Sequence, residues 1–154
     1  MAALVLDVKD RKILSELDLN AREFVSNVAR KVGLSKEVVN YRIKRLQSVG
    51  VIQGFSAIVN PSKAGYQVYR LFLKYQNVSP EKEVELLEYL RQHPNIGWVT
   101  IYGGLYDLAI LFWAKDIYSF REMCDDFLNR YGKYFQGAIK TTVMEIYHFK
   151  HNFL

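Results

Sequence analysis

The sequence predicts an α+β protein in which an N-terminal winged helix-turn-helix precedes a C-terminal ferredoxin-like domain. Three patterns predict this fold: residues 1–50 contain three short helical repeats, residues 51–64 are β-rich and end in a turn, and residues 65–154 alternate strands and helices in the order βαββαβ. At 154 residues, half of them hydrophobic, the chain is long enough for one ordinary domain or two small ones. We therefore expect a helix-turn-helix unit, a wing or linker strand, and a sheet unit over these three segments.

Capping residues and glycines delimit the three helices of residues 1–50. Asp7 is suited to accept hydrogen bonds at the start of the first helix. The second helix is expected to stop at Gly33, because glycine adopts the left-handed conformation that ends helices. Ser35 then caps a third helix, which Gly50 terminates. Two short helices joined by a tight glycine turn form the helix-turn-helix arrangement, which places its second helix in the DNA major groove.

The third helix carries a polar and basic face opposite its apolar stripe. Asn40 has the amide that pairs with adenine, and Lys36 or Lys44 is suited to guanine, because these base edges present matching donors and acceptors. Arg42 and Arg45 flank the stripe, where they are expected to hold backbone phosphates. The candidate DNA-binding residues are Ser35, Lys36, Asn40, Tyr41, Arg42, Lys44 and Arg45. A solvated helix face with no DNA partner is the alternative interpretation.

Positive charge is concentrated in the first part of the chain. Residues 1–60 contain 10 Lys and Arg against 6 Asp and Glu, a net charge of +4, whereas residues 61–154 contain 11 against 10, a net charge of +1. A local excess of cations favours a polyanionic partner, since neutralising phosphates releases condensed counterions. The charge and the helix-turn-helix pattern together indicate double-stranded DNA.

The segment after the third helix is rich in β-branched residues and is expected to form a wing or linker strand, with which a second subunit can pair. Beyond it, prolines and glycines separate four strands from two helices. The expected strands are 67–78, 96–102, 105–115 and 135–148, and the expected helices are 80–93 and 116–132. This order is that of a ferredoxin-like unit.

One strand of the sheet unit is apolar on both faces. Leu108, Ile110 and Phe112 alternate with Leu111 and Trp113, so each face of the sheet carries large apolar side chains. Two helices leave one face of such a sheet uncovered, and an exposed apolar face usually marks self-association or a ligand groove. We therefore expect a homodimer or a larger, even-numbered assembly, which would also give two DNA-reading helices a fixed spacing.

Motifs in both halves of the chain carry a family resemblance. Residues 6–14 read LDVKDRKIL, residues 28–35 read VARKVGLS, and residues 39–55 continue as a reader helix followed by a wing. Residues 104–107 have the pattern Gly-x-Tyr-Asp. With these motifs the chain resembles the leucine-responsive and asparagine-responsive (Lrp/AsnC) family of transcriptional regulators over nearly its whole length.

The resemblance implies a DNA-binding dimer that builds octamers or similar assemblies and responds to an amino acid or a related metabolite. Family members bind small effectors between subunits, at the hairpin that residues 104–107 match. Carried over to this sequence, Gly104, Tyr106 and Asp107 line or shape the effector site, and the Asp107 carboxylate suits an effector ammonium group. The alternative is that Asp107 only caps the turn. Leu105 departs from the acidic or polar residue of several relatives.

Two other functions are compatible with parts of the sequence. Siroheme decarboxylases resemble this family in both domains, but the strand at 98–102 contains no histidine of the kind those enzymes use around their substrate. A metabolite-sensing oligomeric subunit without specific DNA binding would explain the second domain, but the basic reader helix argues against it. We expect no enzymatic activity and no catalytic residues, since the sequence shows neither a nucleophile and base pair nor a phosphate loop.

The sequence predicts no metal, no cofactor and no membrane segment. Cys124 is the one cysteine, and His148 with His151 lacks the helical spacing and the carboxylate of a zinc motif. The longest apolar stretch of the C-terminal part, 108–114, is far shorter than the roughly 20 residues of a membrane-spanning helix. The apolar start of the chain ends at Asp7, too early for a secretory signal. We therefore expect a cytoplasmic protein.

Overall fold

The computed structural model describes residues 5–57 and 59–145. These residues form two compact units, a helical one within residues 5–57 and a sheet-containing one within residues 59–145. The helical unit contains three α-helices, and the sheet unit contains four strands and two α-helices. The described residues thus have the α+β composition that the sequence predicts.

The helical unit contains α1 (Val8–Leu19), α2 (Val25–Val32) and α3 (Lys36–Ser48). Asp7 is the N-cap of α1, as its position before the helix predicts. Gly33 ends α2 with a φ of 65°, in the left-handed region that glycine occupies without a side-chain clash. The predicted helix-turn-helix is therefore confirmed.

A small apolar core holds the three helices together. Ile13 of α1, Val28 and Val32 of α2, and Val39 of α3 are buried, with exposed fractions of 4% or less. Each lies on the apolar stripe of its helix, because apolar residues spaced three or four apart share one face. The opposite side of α3 is left to solvent.

Residues 51–57 do not form the strand that the sequence predicts. The first two backbone N–H groups of this segment donate to the Leu46 carbonyl at 2.9 and 3.0 Å, and the rest of the segment adopts neither helix nor strand. After residue 58, which lies outside the described residues, Pro61–Ala64 forms a short 3-10 helix. Within the single chain the described part of this segment thus forms no strand, because β-rich composition yields a strand only where a neighbouring strand pairs with its backbone, and pairing with a second subunit stays a prediction.

The sheet unit has the ferredoxin-like element order that the sequence predicts. Its elements are β1 (Gln67–Tyr75), α4 (Pro80–Gln92), β2 (Ile96–Ile101), β3 (Leu108–Ala114), α5 (Ile117–Tyr131) and β4 (Phe135–Val143). The four strands form one antiparallel sheet in the spatial order β2-β3-β1-β4. The last strand ends at Val143, earlier than predicted, and residues 146–148 of the expected strand lie outside the described residues.

Both helices of this unit pack on one face of the sheet. Tyr69, Leu71 and Leu73 of β1 are buried in a core shared with α4 and α5. The Tyr69 ring stacks on the Phe120 ring of α5, with the ring centroids 4.5 Å apart. Cys124 lies in the same core, and burial raises the pKa of its thiol to about 12, so it remains protonated at neutral pH.

The other face of the sheet, which we call the outer face, is also largely apolar. It carries Val68, Arg70, Phe72, Trp98, Ala109, Leu111, Trp113 and Ile139. Trp98 and Trp113 are 51% and 41% exposed. Gly97 lets the Trp113 ring lie against the β2 backbone, since a Cβ at this glycine would come within 2.8 Å of the ring. The prediction of a sheet with two apolar faces is confirmed.

Candidate nucleic-acid interface and hairpin site

Ser35 fixes the start of α3. Its hydroxyl oxygen accepts a hydrogen bond from the Val38 backbone N–H at 3.3 Å, and it occupies the N-cap position. The bond satisfies one of the N–H groups that a helix leaves unpaired at its start. The capping role that the sequence predicts for Ser35 is confirmed.

The structure places the predicted polar residues of α3 on one exposed face. Lys36, Glu37, Asn40, Tyr41 and Lys44 are all exposed, and Tyr41 is 67% exposed. Residues three and four apart are neighbours on a helix surface, so these side chains form one strip along α3. Ammonium, amide and aromatic groups are those that contact base edges in a DNA groove. We call these five residues the reader face.

Glu37 is the one acidic residue of the reader face. A hydrogen bond from its own backbone N–H, followed by one from Ser35, lowers the pKa of its carboxyl group. The Glu37 carboxylate is therefore ionised at neutral pH. Glu37 lies in the first turn of α3, and the helix dipole favours negative charge at the N-terminus of a helix. Two lysines against this one glutamate leave the reader face with a net charge of +1.

Arg42 and Arg45 have acidic partners within the chain. Arg42 Nη1 donates to Asp7 Oδ2 at 2.6 Å and to Asp10 Oδ1 at 2.8 Å. Arg45 Nη2 donates to Asp10 Oδ2. These bonds raise the pKa of Arg42, with the Asp7 contact as the largest cause. The expectation that both arginines hold DNA phosphates stays a prediction, and within the chain carboxylates at the start of α1 already compensate their charge.

Asp10 is the one charged side chain among the described residues that is fully buried, with an exposed fraction of 0%. Asp7 and Asp10 form a capping box, in which Asp7 Oδ1 accepts a hydrogen bond from the Asp10 backbone N–H at 2.7 Å. Sequence reasoning missed the ion pair of Asp10 with Arg42, since the two residues lie 32 positions apart. The spacing of Asp7 and Asp10 indicates a helix cap, but it does not indicate which basic residue pairs with them.

Asp107 is held by two hydrogen bonds just before β3 begins. Its Oδ1 accepts from Lys74 Nζ at 2.8 Å, and its Oδ2 accepts from the Tyr75 backbone N–H at 2.8 Å. Both contacts lower the pKa of Asp107, and that of Lys74 does so most. The carboxylate is therefore ionised at neutral pH, and both of its oxygens are engaged by β1.

The same contacts organise the rest of the hairpin between β2 and β3. Lys74 Nζ also donates to the Gly104 carbonyl at 3.0 Å, which links β1 to the tip of the hairpin. The Tyr106 and Phe72 rings lie 5.5 Å apart, measured between their centroids. Gly104 and Tyr106 are thus held near the Asp107 carboxylate, beside the end of β1. Leu105, between them in the sequence, is 79% exposed.

Metal ligands and membrane spans are not found in the part of the chain that the structure describes. Within residues 5–57 and 59–145, no cluster of three or more His, Cys, Asp or Glu side chains is arranged to hold a metal ion. Over the same ranges, no helix is both long enough and apolar enough to cross a membrane. The pair His148 and His151 lies outside the described residues.

Sequence comparisons match this chain to regulators of transcription. The family model of the AsnC-type helix-turn-helix domain matches residues 6–47, which contain the reader face. An uncharacterised HTH-type transcriptional regulator of Pyrococcus furiosus is 31% identical over 92% of this chain and 91% of its own length. The HTH-type transcriptional regulator Ptr1 of Methanocaldococcus jannaschii is 36% identical over 75% of this chain and 76% of its own. The HTH-type transcriptional regulator LrpA of Pyrococcus horikoshii is 29% identical over 84% of this chain and 88% of its own length.

Solved structures share the fold over 96% of this chain. AsnC of E. coli superposes with a TM-score of 0.78 at 21% identity, over 96% of this chain and 97% of its own. A transcriptional regulator of Neisseria meningitidis, solved as a complex with L-Met, superposes with a TM-score of 0.84 at 20% identity, over 96% of each chain. At these identities the likeness establishes the fold, which is the helix-turn-helix plus ferredoxin-like arrangement.

Proposed function

Since the chain belongs to the Lrp/AsnC family of transcriptional regulators, we propose that it binds specific sequences of double-stranded DNA, and that an amino acid or a related small metabolite modulates its activity or assembly. The observation that carries the DNA part is the reader face, an exposed strip on the second helix of a helix-turn-helix. We assign DNA binding to residues 1–50, the link between the units to residues 51–64, and effector binding and oligomerisation to residues 65–154. The regulator acts in the cytoplasm.

Side chains at the start and along the outer side of α3 are proposed to contact DNA. Asn40 pairs with adenine, and Lys36 or Lys44 pairs with guanine. The Tyr41 ring contacts the methyl group of a thymine. Ser35 lies at the helix start, where hydroxyl and backbone N–H groups bind phosphate oxygens. The two arginines with acidic partners are left out of this set.

The purified protein is expected to bind duplex DNA about tenfold or more tightly than the single strand of the same sequence, because the reader face requires a major groove. The logarithm of its affinity is expected to fall linearly with the logarithm of the salt concentration. Fluorescence anisotropy with labelled oligonucleotides measures both. Equal affinity for duplex and single strand would indicate a general polyanion binder and contradict the proposal. An absence of binding to either would favour a metabolite-sensing subunit.

Two chains are proposed to pair through their outer faces, as a homodimer that can build larger even-numbered assemblies. Support comes from the two half-exposed tryptophans of this face, Trp98 and Trp113, and from the apolar side chains around them. A contiguous apolar surface of this kind is unfavourable in water. A two-fold dimer would also present two reader faces at a fixed spacing, as a symmetric pair of DNA half-sites requires.

The hairpin around Asp107 is proposed to bind the effector. Gly104 and Tyr106 line the site, while Asp107 shapes it by fixing the hairpin to Lys74. The Asp107 carboxylate also offers its negative charge to an effector ammonium group. The N. meningitidis regulator with bound L-Met supports an amino acid as the class of effector, since that protein shares the fold.

Asp107→Asn and Lys74→Met are each expected to weaken the response to the effector about tenfold, because each removes a charge-assisted hydrogen bond that holds the hairpin. The standard amino acids are tested one at a time, with thermal shift reporting binding and sedimentation velocity reporting assembly. Lys82→Met is the control, since it breaks a surface ion pair with Glu85 on α4 and should leave the response intact.

The two variants separate the possible roles of Asp107. A full response in Lys74→Met together with a lost response in Asp107→Asn would show that Asp107 binds the effector directly. An unchanged response in both variants would remove the hairpin as the effector site.

A further inference from the structure

Four charged side chains join the start of α1 to α3, away from the reader face. Asp7 and Asp10 supply the carboxylates, and Arg42 and Arg45 supply the guanidinium groups. Asp10 is fully buried, whereas the side chains of Asp7, Arg42 and Arg45 are 51%, 20% and 39% exposed, respectively. We call these four residues the acid–arginine cluster.

The cluster lies beside the DNA-facing side of α3. With about 100° between successive residues of an α-helix, Arg45 projects roughly 100° away from Lys44, and Arg42 roughly 160° away. Arg45 is therefore at the edge of the DNA-facing side, and its partly exposed guanidinium has the length and the geometry to reach a backbone phosphate. Its ion pair with Asp10 directs it towards α1 instead.

The charges of the cluster balance. Two guanidinium groups face two carboxylates, so the cluster has no net charge with which to attract phosphates. Transfer of Arg45 to a phosphate would leave the buried Asp10 carboxylate with less compensation, and an unpaired charge is disfavoured in a protein interior. Phosphates therefore compete poorly for these arginines.

We propose that Asp7 and Asp10 are positioning residues that hold the reader helix against α1 through Arg42, and that Asp10 keeps Arg45 off the DNA backbone. Withholding Arg45 lowers the affinity for DNA of any sequence but leaves the base contacts of the reader face intact. The affinity and its salt dependence are thereby lowered for specific and random DNA alike. The inference rests on the proposed DNA binding and adds a role in setting the affinity for side chains that do not touch the DNA.

Asp10→Asn tests this role, since it leaves Arg45, at the edge of the DNA-facing side, without its carboxylate partner. Asp7→Asn is the matched comparison, because its partner Arg42 projects roughly 160° away from Lys44, and asparagine keeps the side-chain size and the ability to cap α1. Asp10→Asn is expected to steepen the slope of log affinity against log salt by about 0.9, which is roughly a 3.5-fold larger loss of affinity between about 50 and 200 mM salt, and Asp7→Asn is expected to change the slope less. The affinities for a specific and for a random duplex should rise together at low salt, because a phosphate contact carries no sequence information.

Two further variants isolate the cluster. Asp18→Asn removes one negative charge from the same helix outside the cluster, so it should change the slope less. In the double variant Asp10→Asn with Arg45→Gln, the released cation is absent, so the slope should return towards the native value. Circular dichroism melts establish which variants are folded. If Asp10→Asn does not fold, Arg45→Gln alone decides the question: Arg45 is held off the DNA in the native protein, so its removal should leave the salt slope nearly unchanged.

The outcomes distinguish this inference from the proposed function. A native or shallower salt slope in folded Asp10→Asn would overturn the inference. A slope about 0.9 shallower in Arg45→Gln would also overturn it, because it would show that Arg45 binds a phosphate in the native protein. A change in Asp18→Asn or Asp7→Asn as large as that in Asp10→Asn would overturn it too, because the effect would then be general electrostatics. An absence of duplex binding by the native protein would contradict the proposed DNA binding itself.

Discussion

Trp113→Glu is expected to convert the proposed dimer into a monomer and to lower the affinity for a two-fold symmetric DNA site about a hundredfold or more, since the second half-site is then no longer bound intramolecularly. Trp113 lies on the outer face and is 41% exposed, so a single chain can place a carboxylate there in water. In a dimer formed through this face, the carboxylate would be buried in a largely apolar interface, where the cost of desolvating its charge opposes pairing even with Arg70 on the same face. The substituted chain is therefore expected to fold but not to pair.

Light scattering after size-exclusion chromatography measures the assembly, and fluorescence anisotropy measures DNA affinity on the same sample. Tyr118→Glu is the matched control, because it also replaces an aromatic residue by glutamate, at a position on α5 that is 74% exposed. The control should remain dimeric and bind DNA as the native protein does. A Trp113→Glu protein that remains dimeric would show that the chains pair through another surface.

Asn40→Ala is expected to remove the preference for adenine at one position of each half-site. A bidentate contact between an amide and adenine contributes about 1 to 3 kcal/mol of discrimination, and a symmetric dimer would lose it twice, or about 2 to 6 kcal/mol. Affinity for random DNA should hardly change, because the Asn40 side chain is neutral and exposed and contributes no phosphate charge.

Competition between a selected fragment and random duplex measures the effect of Asn40→Ala. Gln136→Ala on β4 is the control, since it removes a side-chain amide from an exposed position of the sheet unit. Equal losses of affinity for selected and random DNA would remove Asn40 as a base reader and leave it as a general contact.

Features that depend on neighbouring residues could be predicted from the sequence. Asp7 and Ser35 precede helices and accept the expected backbone hydrogen bonds, and Gly33 adopts the left-handed conformation that its position after α2 requires. The alternation of apolar residues in 108–114 likewise indicated which side chains share a face of the sheet, although it did not indicate which face the helices cover. Successive side chains of a strand point to opposite faces of the sheet, so the order of residues within one strand is enough to predict which of them share a face.

Features that depend on distant partners could not be predicted. The pairing of Arg42 with Asp10 and of Lys74 with Asp107 joins residues more than thirty positions apart, and nothing in the local pattern marks either pair. Both pairs bear on a candidate site. The first gives predicted phosphate-binding arginines a carboxylate partner within the chain, and the second ties the predicted effector-site aspartate to β1. The predicted wing strand is a related case, since a strand also depends on a partner that lies elsewhere, and no such partner pairs with residues 51–57 within the chain.

Selection of genomic DNA fragments by the purified protein, at near-physiological salt and with or without a mixture of amino acids, tests the central claim most directly. Sequencing of the retained fragments is expected to show a two-fold symmetric site, because two reader faces in a dimer require paired half-sites. Retention is also expected to differ between the two conditions. Retained fragments with no common sequence in either condition would contradict the assignment of this chain as a sequence-specific regulator.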